Sequence, residues 1–179
     1  MKRKTFLLTV LLLLGTMTTK TQEKQIRSKT QESISKENLY KQIIKYGIKF
    51  PDIVFAQAIL ESGTFTSKLF KSSNNLFGMK VPTKRESVKI GVTRGGYSKY
   101  IDWGYSVYDY SLWQEHMLKT RNDITKKQYF ALLGKVYAED PQYVNKLKRR
   151  ISEYNHIFVD IPDHIFNSSV FRINPKTGE

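Results

Sequence analysis

The segment from Pro51 to Gly63 constrains the fold of this chain more than any other. Its interior is a run of apolar residues that only Gln57 interrupts. Pro51 suits the first position of a helix, where its missing N–H costs nothing, and Gly63 suits a left-handed stop two residues beyond Glu61. Because a helix that is apolar on nearly all sides must be buried, the sequence predicts a central helix that the rest of the domain surrounds.

Glu61 lies at the end of this predicted helix, directly after two large apolar residues. Desolvation disfavours a carboxylate there, and so does the partial negative charge of a helix C-terminus, so both effects raise the pKa of Glu61. A carboxylic acid that stays protonated near neutral pH can act as a general acid, as a glycosidase requires. Position alone leaves open the alternative of a last-turn residue that points into solvent.

Helical patterns dominate the rest of the chain. Apolar spacing and capping residues predict further helices over 37–47, 106–120, 125–138 and 140–154. Ser106 and Thr125 suit N-caps, and Asp140 suits a cap ahead of Pro141 in a first turn. Short alternating runs on either side of a glycine-bearing turn predict a β-hairpin over 87–101. The predicted fold class is therefore α+β, mainly helical with one small hairpin.

Both ends of the chain are predicted to lie outside the folded domain, which we expect over 37–156. Residues 1–20 combine a basic stub with a short apolar run, which is typical of a secretory signal peptide, and the alternative is an uncleaved anchor. Residues 21–36 hold almost no large apolar side chain and predict a polar tether. Residues 157–179 predict an extended segment over the surface. We therefore expect export, to the periplasm or cell envelope.

The amino-acid composition excludes several kinds of functional site. The chain has no Cys and only three His, which excludes disulfides, thiolate nucleophiles and Cys-ligated zinc, and we expect neither a metal nor a cofactor. The formal net charge of +14 indicates attraction to nucleic acid, to anionic lipid or to a carboxylate-bearing wall polymer. Export weakens the case for nucleic acid, and so does the lack of a clustered basic helix with base-reading residues.

Candidate sugar-binding residues follow the central helix. Asn74 and Asn75 lie in a run of small polar residues, ahead of Phe77 and a glycine, and such a loop can present amides to sugar hydroxyls. Aromatic residues gather around the hairpin and the next helix, where Tyr100 and Trp103 are candidates for stacking on pyranose faces. For Phe77 the core is an equally good interpretation, and part of the aromatic group is expected to be core.

Four motifs stand in order along the chain at plausible spacing: Ala56–Gly63, Ser73–Lys80, Asp102–Tyr110 and Tyr137–Tyr143. Together they resemble the active-site signature of family 73 of the glycoside hydrolases, bacterial N-acetylglucosaminidases of flagellar-rod and autolysin type that cut peptidoglycan. The resemblance implies a lysozyme-like α+β fold, with Glu61 as catalytic acid and the hairpin as a lobe over the cleft. It implies peptidoglycan glycan strands as the partner. We expect a monomer that binds no nucleic acid and meets the membrane only through an uncleaved signal.

The second catalytic element is less defined. Between Glu61 and Asp102 the only acid is Glu86, at the start of the predicted hairpin, where flanking basic residues favour its ionised form. The alternative is the substrate's own 2-acetamido group as nucleophile. By analogy with the family, Tyr137 orients that group or a water, and Tyr143 is a candidate substrate-binding residue. Asp102 suits packing ahead of a helix better than catalysis.

These residues predict an exported endo-β-N-acetylglucosaminidase in which Glu61 protonates the glycosidic oxygen. Two alternatives act on the same polymer: a lytic transglycosylase, which needs only one acid, and a muramidase. A further alternative is a non-catalytic wall-binding module that keeps the cleft without turnover.

Overall fold

The computed structural model of the chain describes residues 34–121, 123–136 and 140–159. Within these ranges the elements are α1 Lys36–Lys45, α2 Pro51–Glu61, α3 Lys68–Ser73, β1 Gly91–Val92, β2 Ser98–Lys99, α4 Trp103–Leu118, α5 Lys126–Val136, α6 Tyr143–Glu153 and α7 Asn155–Val159. The two strands form one antiparallel sheet. The predicted fold class, mainly helical with a small hairpin, is confirmed. No helix among the described residues is long and apolar enough to cross a membrane.

Helix α2 is the buried centre of the domain. Every residue from Ile53 to Ile59 is buried, and the helix packs against α1 and α6. Pro51 is its first residue, and Gly63 has a φ of +57° just beyond its end. The predicted central helix is therefore confirmed. Each large apolar side chain buried in this way contributes about 1.5–3 kcal/mol to the free energy of unfolding.

The polar residue in the middle of α2 begins a buried chain of hydrogen bonds. The hydroxyl of Tyr110 donates to Gln57 Oε1 at 2.7 Å and lies 2.8 Å from the hydroxyl of Tyr129. Gln114 Nε2 donates to Tyr129 Oη, and the Gln114 amide also bonds the backbone N–H and carbonyl of Lys49. Burial raises the pKa of Tyr129 to about 12, so its hydroxyl is uncharged at neutral pH. This chain of hydrogen bonds joins α2 to α4 and α5.

The predicted hairpin is present, but its strands are shorter than expected and shifted along the chain. Gly91 pairs with Lys99 and Val92 with Ser98, and an isolated bridge pairs Lys80 with Tyr97. The predicted first strand over 87–90 is wrong. The amide of Val88 donates to a side-chain carboxylate, and the first hydrogen bond to the opposite strand comes from the amide of Ile90, which donates to Lys99.

Helix α4 begins three residues earlier than predicted. Asp102, not Ser106, is its N-cap, and the Asp102 Oδ1 atom accepts hydrogen bonds from the amides of Gly104 at 2.7 Å and Tyr105 at 3.2 Å. Ser106 is buried one turn inside the helix, where its hydroxyl accepts from the amide of Leu76 at 3.0 Å. Ser106, the residue predicted to cap the helix, therefore anchors the loop that follows α3.

Helix α6 begins at Tyr143 instead of at Asp140. Asp140 lies in a turn ahead of the helix, where its Oδ1 accepts from the amide of Gln142 at 2.9 Å and its carboxylate pairs with Lys146 at 2.5 Å. At the start of α5, Thr125 Oγ1 accepts from the amide of Gln128, as expected of an N-cap.

The ends of the described region differ slightly from the expected domain limits. Helix α1 begins at Lys36 with Ser35 as its N-cap, and Ile34 packs against the core. Helix α7 occupies the start of the segment predicted to be extended, so residues 157–159 are helical because Ile157 is buried against the core. The rest of that segment, the predicted signal peptide and the tether up to residue 33 lie outside the described residues.

Candidate active site

Glu61 is the last residue of α2 and is only partly exposed. Its Oε1 atom accepts a hydrogen bond of 2.8 Å from the hydroxyl of Tyr143, the first residue of α6. Burial raises the pKa of Glu61, and the Tyr143 hydrogen bond, which favours the ionised form, offsets part of that rise. The net shift is upward, as the position of Glu61 at the end of an apolar helix predicts.

Gly78 lies beside the other carboxylate oxygen of Glu61. A Cβ atom at Gly78 would lie 3.7 Å from Glu61 Oε2, and the φ of Gly78 is +63°, in the left-handed region that favours glycine. A Cβ at residue 78 would thus make an ordinary contact with the carboxylate, and the positive φ is what favours glycine there. The glycine lets the loop after α3 approach Glu61 with its backbone alone.

Asn74 and Asn75, predicted to contact substrate, hold this loop in place. Asn74 Nδ2 donates to the carbonyl oxygens of Tyr100 and Ile101, both at 3.1 Å. Asn75 Nδ2 donates to the carbonyls of Met79 and Ser98, both at 2.9 Å, and its Oδ1 accepts from the Met79 amide. Asn75 is buried and its amide ties the loop to the hairpin, whereas Asn74 remains partly exposed.

The aromatic candidates are also enclosed by protein. Phe77 is 0% exposed and its ring lies 4.3 Å from that of Tyr110, centroid to centroid. Tyr100 is 2% exposed and Trp103 is 7% exposed. The rings of Tyr100 and Trp103, the two candidates for stacking on substrate, are thus almost fully covered by protein in this structure. Phe77 lies in the core, which was one of its two interpretations. Exposed aromatic surface remains at Tyr105.

Glu86 lies exposed in an irregular segment before β1. The Nη1 atom of Arg85 donates to the Glu86 carbonyl oxygen at 2.7 Å, while the Arg85 guanidinium forms an ion pair with Asp109 of α4. The charge of Arg85 is therefore partnered by Asp109. Tyr137, the third predicted catalytic residue, lies outside the described residues.

Asp109 is the residue that sequence reasoning missed. It lies within the third motif, yet no role was predicted for it. Its carboxylate is fully buried and accepts hydrogen bonds from Arg85, from the amide of Val88 and from the hydroxyl of Tyr100. Burial raises the pKa of Asp109, but these hydrogen bonds and the Arg85 charge outweigh it, so the net shift is downward. One signal was available, since Asp109 lies three residues after Ser106 on the buried face of α4.

A family model matches the part of the chain that holds Glu61. Residues 36–156 match the glucosaminidase family, described as mannosyl-glycoprotein endo-beta-N-acetylglucosaminidase. The chain belongs to this family. Membership confirms the resemblance drawn from the four motifs and the predicted enzyme class, a glycoside hydrolase. The matched range includes Glu61, Gly78 and Tyr143, so the geometry described above lies inside the glucosaminidase domain.

Two bacterial proteins are similar to this chain in sequence. An autolysin of Enterococcus faecalis is 31% identical over 156 residues, which are 72% of this chain and 20% of the relative. An N-acetylmuramoyl-L-alanine amidase domain-containing protein of Staphylococcus aureus is 32% identical over 126 residues, 59% of this chain and 20% of the relative. The chain spans about a fifth of the length of these relatives.

A solved structure is similar as well. The catalytic domain of the autolysin Auto from Listeria monocytogenes superposes with a TM-score of 0.50 at 25% identity, and the match covers 77% of this chain and 96% of that one. The glucosaminidase domain thus has the architecture of an autolysin catalytic domain.

The contact between Glu61 and Tyr143 yields a prediction on pH dependence. Tyr143→Phe removes a donor that favours the ionised carboxylate, so the pKa of Glu61 rises further. If Glu61 is the general acid expected from the sequence, activity is lost as it ionises, and the basic limb of the kcat/KM profile should move to higher pH. The measurement is a pH profile of wall digestion, and Tyr154→Phe, just beyond the other end of α6, is the matched control. A basic limb that stays in place in Tyr143→Phe contradicts the prediction.

Proposed function

We propose that this glucosaminidase is an exported endo-β-N-acetylglucosaminidase that cleaves peptidoglycan glycan strands after N-acetylglucosamine, with Glu61 as its general acid. The observation that carries the proposal is the environment of Glu61. A carboxyl group with a raised pKa lies at the end of a buried helix, beside a loop that approaches it with a glycine backbone, inside a domain of the glucosaminidase family.

The two oxygens of Glu61 have different roles in this mechanism. The hydroxyl of Tyr143 donates a hydrogen bond to Oε1, so that oxygen acts as an acceptor. The transferable proton then resides on Oε2, the oxygen beside Gly78. Donation of that proton to the glycosidic oxygen lets the leaving sugar depart as a neutral alcohol. In this mechanism Tyr143 orients Glu61 and tunes its pKa.

Glu86 is the second catalytic group in this proposal. Its exposed carboxylate acts as the base that activates the attacking water, and the acetamido group of the substrate is the alternative. Glu86 precedes the hairpin, which the family resemblance places over the cleft. Tyr137 completes the proposed group as the residue that orients the acetamido group or the water.

The substrate and the location follow from the relatives and from charge. Relatives of this chain are named autolysins, a name that fits action on the cell wall. Residues 37–179 hold 22 Lys or Arg and 14 Asp or Glu, and this net charge of +8 favours a polymer that bears carboxylates on its stem peptides. The predicted signal over residues 1–20 supplies export to the cell envelope, where this polymer lies. We expect the enzyme to act there as a monomer.

Analysis of digestion products tests the proposed function. Purified peptidoglycan is treated with the protein, the soluble products are reduced with borohydride, and the ends are identified by mass spectrometry. The expected product carries N-acetylglucosamine at its reducing end and yields glucosaminitol. Reducing muramic acid would instead identify a muramidase, anhydromuramic acid a lytic transglycosylase, and binding without soluble products a wall-binding module.

A further inference from the structure

The buried carboxylate of Asp109 is saturated with donors that come from the segment around Glu86. Arg85 approaches it as a fork, with Nη2 2.8 Å from Oδ2 and Nη1 3.2 Å from Oδ1. The amide of Val88 lies 3.1 Å from Oδ1, and the hydroxyl of Tyr100 lies 2.8 Å from Oδ2. The side chains of Arg85 and Asp109 are 7% and 0% exposed. The Ser87 side chain is a further hydrogen-bond partner of the Asp109 carboxylate. Arg85, Ser87 and Val88 thus all lie within two positions of Glu86.

Arg85 also reaches Glu86 directly. Its Nη1 atom, which bonds Asp109, donates to the backbone carbonyl of Glu86 at 2.7 Å. The backbone of Glu86 is therefore held on both sides from one carboxylate on α4: through Arg85 before it and through Val88 after it. Helix α4 is a rigid support, since it contributes several fully buried residues to the core.

This anchoring matters because residues 81–90 belong to no helix or strand. Backbone hydrogen bonds hold its ends, where the Val81 amide donates to Gly96 and the Ile90 amide donates to Lys99. Between these ends the described backbone is irregular, and the Glu86 side chain itself is exposed. A catalytic carboxylate must be held to within about 0.5 Å, and an exposed side chain on an irregular segment meets that demand only if its backbone is fixed.

Stability alone is a weak reason for such a cluster. Removing an arginine and an aspartate from water costs about as much as their attraction returns, and apolar side chains of similar volume would join the segment to α4 at least as well. Apolar packing, however, does not fix the orientation of the backbone. The forked guanidinium and the amide of Val88 fix both the position and the rotation of the backbone that carries Glu86.

We propose that Asp109 is a positioning residue that, through Arg85 and Val88, holds the carboxylate of Glu86 at the reaction centre. This inference rests on the proposed function, in which Glu86 activates water. It assigns the Asp109 cluster to catalysis and makes the geometry of the segment 85–88 a determinant of kcat.

A double-mutant cycle tests the proposal. Asp109→Asn keeps the size of the side chain but removes the charge that holds the guanidinium, and Arg85→Lys keeps the charge but removes the fork. Each is combined with Glu86→Gln, and kcat and KM are measured for all variants on soluble glycan chains. We expect Asp109→Asn to lower kcat about 10–100-fold, as a displacement near 1 Å does, and to change KM less than about 2-fold. In the Glu86→Gln background, the same substitution should lower kcat no further.

Controls separate positioning from stability. Leu133→Val, in the core of α5, destabilises the domain without touching the cluster, and thermal unfolding of every variant shows how much stability each one loses. The proposal is overturned if Leu133→Val lowers kcat as much as Asp109→Asn does, or if Asp109→Asn costs the same factor with and without Glu86. Should Asp109→Asn fail to fold, the Arg85→Lys arm of the cycle decides by the same criterion.

The cycle also distinguishes failure of this inference from failure of the proposed function. If Glu86→Gln alone keeps the wild-type kcat while Glu61→Gln is inactive, the glucosaminidase mechanism stands and the positioning role is overturned. If Glu61→Gln retains full activity, the proposed acid itself is wrong.

Discussion

Glu61→Gln should abolish wall digestion while leaving the fold and wall binding intact. Gln keeps the size of Glu and can still accept the hydroxyl of Tyr143, but it has no proton to give to the glycosidic oxygen. Loss of a general acid lowers the rate by at least about 10²–10⁴-fold. Turnover is measured by release of reducing ends and binding by sedimentation with insoluble wall. Glu153→Gln, at the last residue of α6, is the matched control. A Glu61→Gln protein that digests wall at a near-native rate contradicts the central claim.

The same variant carries a stability signature with a definite sign. Burial raises the pKa of Glu61 in the folded state above its ordinary value of 4.5, so the folded state favours the protonated form. Such a group contributes stability that is fully present below its unfolded pKa and is lost as pH rises through its folded pKa. Glu61→Gln has no such loss. It should therefore unfold at a higher temperature than the wild type at neutral pH, and the difference should shrink below pH 4.5.

That signature separates two reasons for inactivity. An inactive variant with a raised unfolding temperature has lost the acid, whereas an inactive variant with a lowered one has lost the fold. The wild-type carboxylate, on this account, costs stability at neutral pH because its environment is built to keep a proton on it.

The parts of the fold that were predictable are those whose signals are local. The central helix α2 was found from its own residues, because an apolar run between Pro51 and Gly63 has few alternatives. Helix α3 was not predicted because it has only six residues and its apolar residues do not recur at helical spacing. Its N-cap is Ser67, whose hydroxyl accepts a hydrogen bond from the amide of Phe70. The start of α4 was misplaced because Asp102 and Ser106 are both good caps, and only tertiary contact of Ser106 with the loop distinguishes them.

The same distinction between local signals and tertiary contacts applies to the candidate site. The raised pKa of Glu61 was predictable because helix position and apolar neighbours both act locally. Its contact with Tyr143, 82 residues away, was not, and neither was the pairing of Arg85 with Asp109, 24 residues away. Sequence also cannot say which side of a loop faces the cleft. Asn75 was therefore predicted to face sugar, whereas the structure turns its amide inward to bind the loop.

Glu86→Gln is the variant that separates the two catalytic routes. If Glu86 activates water, its amide cannot take the proton, and the rate should fall at least about 10²-fold. KM should change little, because Gln keeps the shape of the side chain and the backbone bond from Arg85 remains. Glu115→Gln, an exposed carboxylate on α4, is the control and should keep wild-type kinetics. Turnover is measured on purified wall for both variants and the wild type.

The competing route leaves a different pattern in the same experiment. An acetamido group that attacks its own anomeric carbon needs no protein base at that step, so Glu86→Gln would keep substantial activity and a thiazoline analogue of the intermediate would inhibit it. The buried cluster favours the first route. The positioning role proposed for Asp109 agrees with that route, because the cluster fixes the backbone on both sides of Glu86 and would serve no step of the acetamido route.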